Sequence, residues 1–433
     1  MEFNFREKTN TTTLNHVYHR PASASPLTRA THPPCEAKEI WYNPGKGESF
    51  MPRPLRSDVY KPQEIAILHC VQRCVRRAYL SGIDSVSGKD YSYRKEWIRQ
   101  RIEKLASVFS IDVLAYAILS NHMHLVLRSR PDVVATWSDR QVALRWLQIF
   151  PGKRIEEQLG DPTTTDVEAL ANNPERMAVV RLRLSDISWF MRALSEPIAR
   201  LANQQEKCTG CFWEGRFKAQ RLLDEAALLA CCMYVDLNPV RAAMAESPET
   251  STFTSAYDRI KAAQGQTIES AAVPMQTINR EEAAKILKSS TPEELADRRK
   301  AARRRRGPRI ARDGWMAPLE LNPRVTGPAV NKDGVRASDK GFLDMSLEDY
   351  VALLYWTGSQ GRADKNGKIT ADYAPILAKL GIAEGMWCDL VWNFKKYFGK
   401  SRGPGSPDRM REEAILGVRK FQPGQKMARK CFV

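Results

Sequence analysis

His122 and His124, in the run NHMHLVLR, are separated by a single residue. In a strand, side chains at i and i+2 share a face, so both imidazoles can turn toward one metal ion. Alone, such a pair is more often ordinary polar pairing. Tyr234 and Asn238, in YVDLNPVR, stand four apart, one helical turn, and so lie on one side of a helix. The apolar stripe of that helix is Leu228, Cys231, Cys232 and Val235. At ~100° per residue Tyr234 falls roughly 110° from the stripe's centre and Asn238 about 70° on the same flank. A tyrosine buried only for packing belongs within the stripe, although a boundary tyrosine can rest its ring on the core.

Together these side chains describe a reaction. A phenol, with a pKa of ~10, is a poor nucleophile near neutral pH. A divalent cation held by two imidazoles and an amide would polarise a phosphodiester oxygen. The tyrosine oxygen could then attack phosphorus and hold a DNA end covalently. Such a step conserves bond energy and needs no ATP. Consistent with that, no GxxxxGK[ST] sequence occurs.

A third feature precedes the tyrosine. Trp213, Arg216, Phe217, Lys218 and Arg221 interleave aromatics with cations. That composition stacks bases and neutralises phosphates on single strands, and it also suits a basic strand covering a core. Arg241, just past Asn-Pro-Val, is open to a phosphate contact or a structural ion pair. His69 reads as a hydrogen-bonded strand histidine that could face the same pocket. His16, His19 and His32 lie in the N-terminal arm, with no specific role expected.

The elements that must position these residues follow from patterning. Residues 1–57, rich in Thr, Pro, Ser and Asn, read as a flexible arm. Ile65 to Val75 suits a strand, and Tyr93 to Phe109 has helical spacing. IDVLAYAIL and HMHLVLR, around Ser120-Asn121, predict a hairpin. Residues 131–185 read as a helical insertion, and Asp186 to Gln205 as an amphipathic helix kinked at Pro197. FWEGRFKAQRLL reads as a strand, followed by a helix from Asp224 to Asp236 that stops before Asn238-Pro239. Residues 263–340 read as a basic linker, and 341–433 as a helical C-terminal domain. No internal repeat is visible.

The chain has 433 residues, long enough for two or three domains. With 67 Lys+Arg against 50 Asp+Glu the net charge is +17, which calls for a polyanionic partner. A membrane surface is the weaker choice, because no run approaches the ~18 apolar residues of a span and the N-terminus has no apolar signal core. Residues 298–312 contribute nine positive charges and no acid, Arg303, Arg304, Arg305 and Arg306 among them. They read as a flexible arm tracking phosphates, or as a solvated linker. Nine scattered cysteines exclude a secreted framework. Cys208 and Cys211 form one CxxC, but adjacent Cys231 and Cys232 are poor spacing for zinc.

The order and wording of NHMHLVLR, FWEGRFKAQRLLDEAALLACCMYVDLNPVRAAM and SPETSTFTSAYDRI resemble the REP-associated tyrosine transposases, within the single-tyrosine HUH superfamily. The resemblance covers roughly residues 60–262, interrupted by the insertion. It implies an α+β fold with a ferredoxin-like (RRM-like) four-stranded antiparallel sheet, and a catalytic domain over 58–262. It implies His122, His124 and Asn238 as ligands of Mg²⁺ or Mn²⁺, and Tyr234 as the nucleophile making a 5′-phosphotyrosine. The expected partner is single-stranded or hairpin DNA, repetitive extragenic palindromes included, met in the bacterial cytoplasm at the nucleoid. A single tyrosine makes paired strand cutting the work of two turnovers of a monomer or of a homodimer. A domesticated non-catalytic binder with the same fold is the alternative. A replication initiator or relaxase fits the chemistry but not the Tyr-x-x-x-Asn-Pro-Val-Arg wording.

Overall fold

In the computed structural model, residues 59–75, 80–84, 88–152, 159–360, 374–383, 385–417 and 422–432 are described. The expected N-terminal arm lies outside them. Strand β1 (Ile67–Arg73) leads into helix α1 (Arg94–Val108), then β2 (Ile111–Ile118) and β3 (His122–Ser129). The insertion follows as α2 (Pro131–Ala135), α3 (Asp139–Ile149), α4 (Thr164–Ala171) and α5 (Pro174–Leu184). Its helices start where sequence caps them: Ser138 with Gln141 and Thr163 with Asp166 form reciprocal capping boxes. Helix α6 (Ile187–Gln205) precedes the short strand β4 (Lys218–Arg221). The strand read from FWEGRFKAQRLL is therefore shorter than expected.

The four strands form one antiparallel sheet in the order β2–β3–β1–β4. Residue alternation sorts its side chains. Met123, Leu125 and Leu127, with Leu68 and Cys70, face a core that includes Ile98 and Ile102 of α1 and Phe190 and Leu194 of α6. His124 and Val126, with Ala115 and Ala117, belong to the opposite face. Val126, Ala115 and Ala117 share a second core with α7 (Glu225–Asp236). All eight residues of β2 and seven of β3 are buried, because both faces are covered.

Helix α7 departs from its expected amphipathic form. Every residue from Ala226 to Asp236 is buried. The sheet lies on one side, and on the other are helices that follow much later in the chain. After α8 (Asn238–Arg241) and α9 (Ser255–Ala263), residues 263–340 hold β5 (Thr267–Glu269), α10 (Arg280–Ser289), α11 (Pro292–Arg304) and β6 (Arg309–Ala311). This segment, read as a linker, contributes to the core. Trp315 and Met316 are fully buried, and the Trp315 ring lies 5.3 Å from that of Tyr116. Arg312, counted among the mobile cations, donates to the buried Asp258 at 2.7 Å, and Tyr116 donates to the same carboxylate at 2.6 Å. Its one tryptophan is buried and the carboxylate that holds Arg312 lies outside the segment, neither of which composition reveals.

The remaining helices are α12 (Leu347–Gln360), α13 (Ala374–Lys379), α14 (Trp387–Trp392), α15 (Phe394–Phe398), α16 (Pro407–Leu416) and α17 (Gln425–Cys431). Leu353, Trp387, Leu390, Phe394 and Phe398 join Leu228, Cys231 and Val235 of α7 in one cluster. Tyr350 on α12 donates to Asp236 on α7 at 2.6 Å. The expected C-terminal domain thus shares its core with α7. No helix among the described residues is long and apolar enough to cross a membrane.

A shared core predicts cooperative unfolding. The helices of 341–433 should melt with the sheet in one denaturant transition, and Tyr350→Phe, which removes a donor from buried Asp236, should lower stability by about 1–3 kcal/mol. A separate C-terminal transition, or an unchanged midpoint, would contradict this.

Candidate active site

Strand register builds the site. His124 pairs across the sheet with Val71 on β1 and Ala117 on β2, and His122 pairs with Arg73. On the far side of β1, Val71 pairs with Lys218 and His69 with Gln220. The same face therefore carries His122, His124, His69, Arg73, Lys218 and Gln220. Helix α7 brings Tyr234 over this face, and the break at Leu237 places Asn238 beneath it at the start of α8.

The hydrogen bonds form a line. The Asn238 amide lies 2.9 Å from His124 Nε2, and His124 Nδ1 lies 2.9 Å from His69 Nε2. With Asn238 Nδ2 as donor, His124 carries its proton on Nδ1 and donates it to His69. His122 Nδ1 contacts the Asn121 side-chain oxygen, which leaves Nε2 open. The rings of His122 and His124 are 4.9 Å apart, and that of His124 meets Tyr234 edge-on at 5.6 Å. His69 also meets Tyr234, at 6.1 Å. His69 is thus hydrogen-bonded within the sheet and faces the pocket as well.

Burial governs the electrostatics. It lowers His69 to about 4. Burial and then the like charges of Arg73 and Lys395 lower His122 to about 4. His124 is held well below its ordinary value, first by burial and then by neighbouring imidazoles and cations. The three rings are neutral near pH 7. Tyr234 is 4% exposed, and burial raises its phenol. The guanidinium of Arg241, 4.7 Å over the Tyr234 ring, works against that rise. Arg241 makes no ion pair among the described residues and also lies 5.8 Å from the Trp392 ring. It lines a cavity of about 520 Å³ with Val240, Met244, Gly358 and Trp392.

Among the described residues no group of three His, Cys, Asp or Glu is arranged around a metal position. Two imidazoles and an amide are the available donors. They fit a divalent cation in two respects: both rings are neutral, as ligation requires, and the His124 Nδ1 contact to His69 is the outer-shell bond that fixes a ligating ring. The Asn238 amide would present its oxygen after a rotation that exchanges its two ends.

The remaining expected contacts are placed less uniformly. Lys218 is exposed beside the histidines. Trp213 is half-buried, and its indole N–H is spent on Ser195 O at 2.9 Å. Arg216 is exposed. Arg221 is taken by Glu64, at 3.1 and 3.3 Å. Arg304 ends α11 and is exposed; the Arg303 side chain is outside the described residues. Arg305 pairs with Asp161 at 3.0 Å, and Arg306 donates to Gln100 at 3.1 Å. Part of the 298–312 charge is thus tied down.

Sequence reasoning missed three neighbours. Arg73 could have been found by aligning β1 against β3. Phe394, 5.6 Å from Tyr234 and 6.4 Å from His69, and the adjacent Lys395 carry no local signal, because they belong to the distant helix α15.

No family model and no curated protein matches this chain. A solved structure of a REP-associated tyrosine transposase bound to a REP hairpin is similar at 12% identity and a TM-score of 0.27, over 46% of this chain and 81% of that one.

Neutral burial makes stability depend on pH. His122 has a folded value of about 4, against 6.5 when free. Its contribution is therefore complete above ~6.5 and is lost as pH falls toward 4. The urea midpoint of His122→Gln should fall less steeply than the parent's between pH ~7 and ~4.5. Parallel curves would show that His122 is not held neutral.

Proposed function

We propose that this chain is a transposase-like DNA endonuclease and strand transferase, in which the Tyr234 hydroxyl attacks a phosphodiester of single-stranded or hairpin DNA. The convergence of a tyrosine, two neutral imidazoles and an amide, ringed by cations, carries this reading. The strand order β2–β3–β1–β4, with α1 between β1 and β2 and helices between β3 and β4, supports a ferredoxin-like (RRM-like) sheet. The GRFK and Tyr-x-x-x-Asn-Pro-Val-Arg wording supports a place among the REP-associated tyrosine transposases, with residues 58–262 as the catalytic part. The proposed setting is the bacterial nucleoid.

Tyr234 loses its phenolic proton to water, and the Arg241 guanidinium over its ring stabilises the oxygen that remains. That oxygen attacks phosphorus, the bond between phosphorus and O3′ of the upstream nucleotide breaks, and the freed O3′ takes up a proton to become a 3′-hydroxyl. The DNA 5′-phosphate is left esterified to Tyr234. One phosphodiester replaces another, so the freed hydroxyl can attack back and rejoin a strand. Mg²⁺ or Mn²⁺ held by His122, His124 and Asn238 would polarise a phosphodiester oxygen and stabilise the transition state by several kcal/mol. His69 keeps the His124 ring oriented.

With hairpin single strands and Mn²⁺ or Mg²⁺, the parent should form a denaturation-resistant protein–DNA adduct. Tyr234→Phe should reduce its rate by on the order of 10³-fold or more while still binding DNA. Equal cleavage by Tyr234→Phe would refute the nucleophile. DNA binding by the parent with no adduct under either metal would favour the non-catalytic binder.

A further inference from the structure

We propose that Lys395, on helix α15 outside the segment that carries the motifs, binds a backbone phosphate of the DNA together with Arg73, Lys218 and Arg241. The inference rests on the reading of Tyr234 and the histidines as a DNA-cleaving centre, and it adds a binding residue from the C-terminal part of the chain.

Geometry places the four cations. Arg73 is the cross-strand partner of His122. Lys218 pairs with Val71, which pairs in turn with His124, so these three residues form one row across the sheet. Arg241 lies over the Tyr234 ring. Lys395 directly follows Phe394, whose ring packs against both Tyr234 and His69 and so fixes where α15 meets the site. Each cation belongs to a different element, and all four are exposed or half-buried.

Charge gives the arrangement its meaning. Among the described residues none of the four is paired with a carboxylate. Lys395 is depressed by partial burial and then by the like charges of Arg73, Lys218 and Arg241, so the group is electrostatically coupled. Gathering like charges without acids is costly, and an incoming anion offsets that cost. A metal-ligand set with no carboxylate leaves the anion to be supplied from outside. A phosphodiester beside Tyr234 meets both requirements, with charge-assisted hydrogen bonds from lysine and arginine. Aromatic packing by Phe394 alone would not need a cation at the next position.

The test measures binding, so that it stands apart from cleavage. The affinity of a labelled single-stranded DNA hairpin is followed across a salt series without divalent metal. Loss of one phosphate contact should reduce the log–log salt slope by about 0.7 for a single-stranded contact. Lys395→Gln should show that reduction with weaker binding at low salt, and Lys395→Arg should restore both. Lys396→Gln, whose parent side chain approaches Tyr397 instead, should leave the slope near the parent's. An unchanged slope in Lys395→Gln, or an equal loss in Lys396→Gln, would overturn the inference. If the slope falls but the parent never forms an adduct, the cleavage reading fails and the phosphate contact stands.

Discussion

Helix α7 has no solvent face, and that constraint orders the rest of the molecule. A helix buried from Ala226 to Asp236 needs cover on every side. The four-stranded sheet supplies one side through Ala115, Ala117 and Val126, and the C-terminal helices supply another through Leu353, Trp387, Leu390 and Phe394. Its one internal charge, Asp236, is satisfied by Ser255, the Ala256 amide and Tyr350. These partners come from α9 and α12, so a single buried carboxylate ties together segments remote in sequence. The same packing holds Tyr234 against His124 and Asn238 against its far nitrogen.

Burial also sets the chemistry. Imidazoles removed from water and placed among cations stay neutral, which suits them to donate lone pairs. The phenol is raised by the same burial, and Arg241 is the nearby charge that counters it. Two opposing effects therefore meet at one ring. Among the described residues, Arg73 and Arg241 have no carboxylate partner, whereas Arg221 pairs with Glu64 and Arg305 with Asp161. The paired arginines fix contacts between segments of the fold, and the proposed phosphate contact draws on the others.

Much of the site was legible because its signals are local. Alternation put His122 and His124 on one face, and helical spacing put Tyr234 with Asn238. The hairpin and the stop before Asn238-Pro239 were equally visible. What failed was long-range. Helical spacing predicts an apolar stripe of Leu228, Cys231, Cys232 and Val235 on α7, but helices α12, α14 and α15 bury the rest of its surface as well. Residues 263–340 looked like a linker because their basic composition hides the pairing of Arg312 with Asp258 and the burial of Trp315. Phe394 and Lys395 reach the site through folding alone, and no periodicity in their own helix announces it.

The central claim is that Tyr234 is the atom donor to which DNA becomes joined. Its most direct test is to trap the product of the parent protein with hairpin DNA, trim the DNA with nuclease, digest the protein and locate the residual nucleotide by mass spectrometry. The account predicts a nucleotide 5′-phosphate on Tyr234 itself. A nucleotide on any other residue, or a 3′-phosphate linkage, would contradict it.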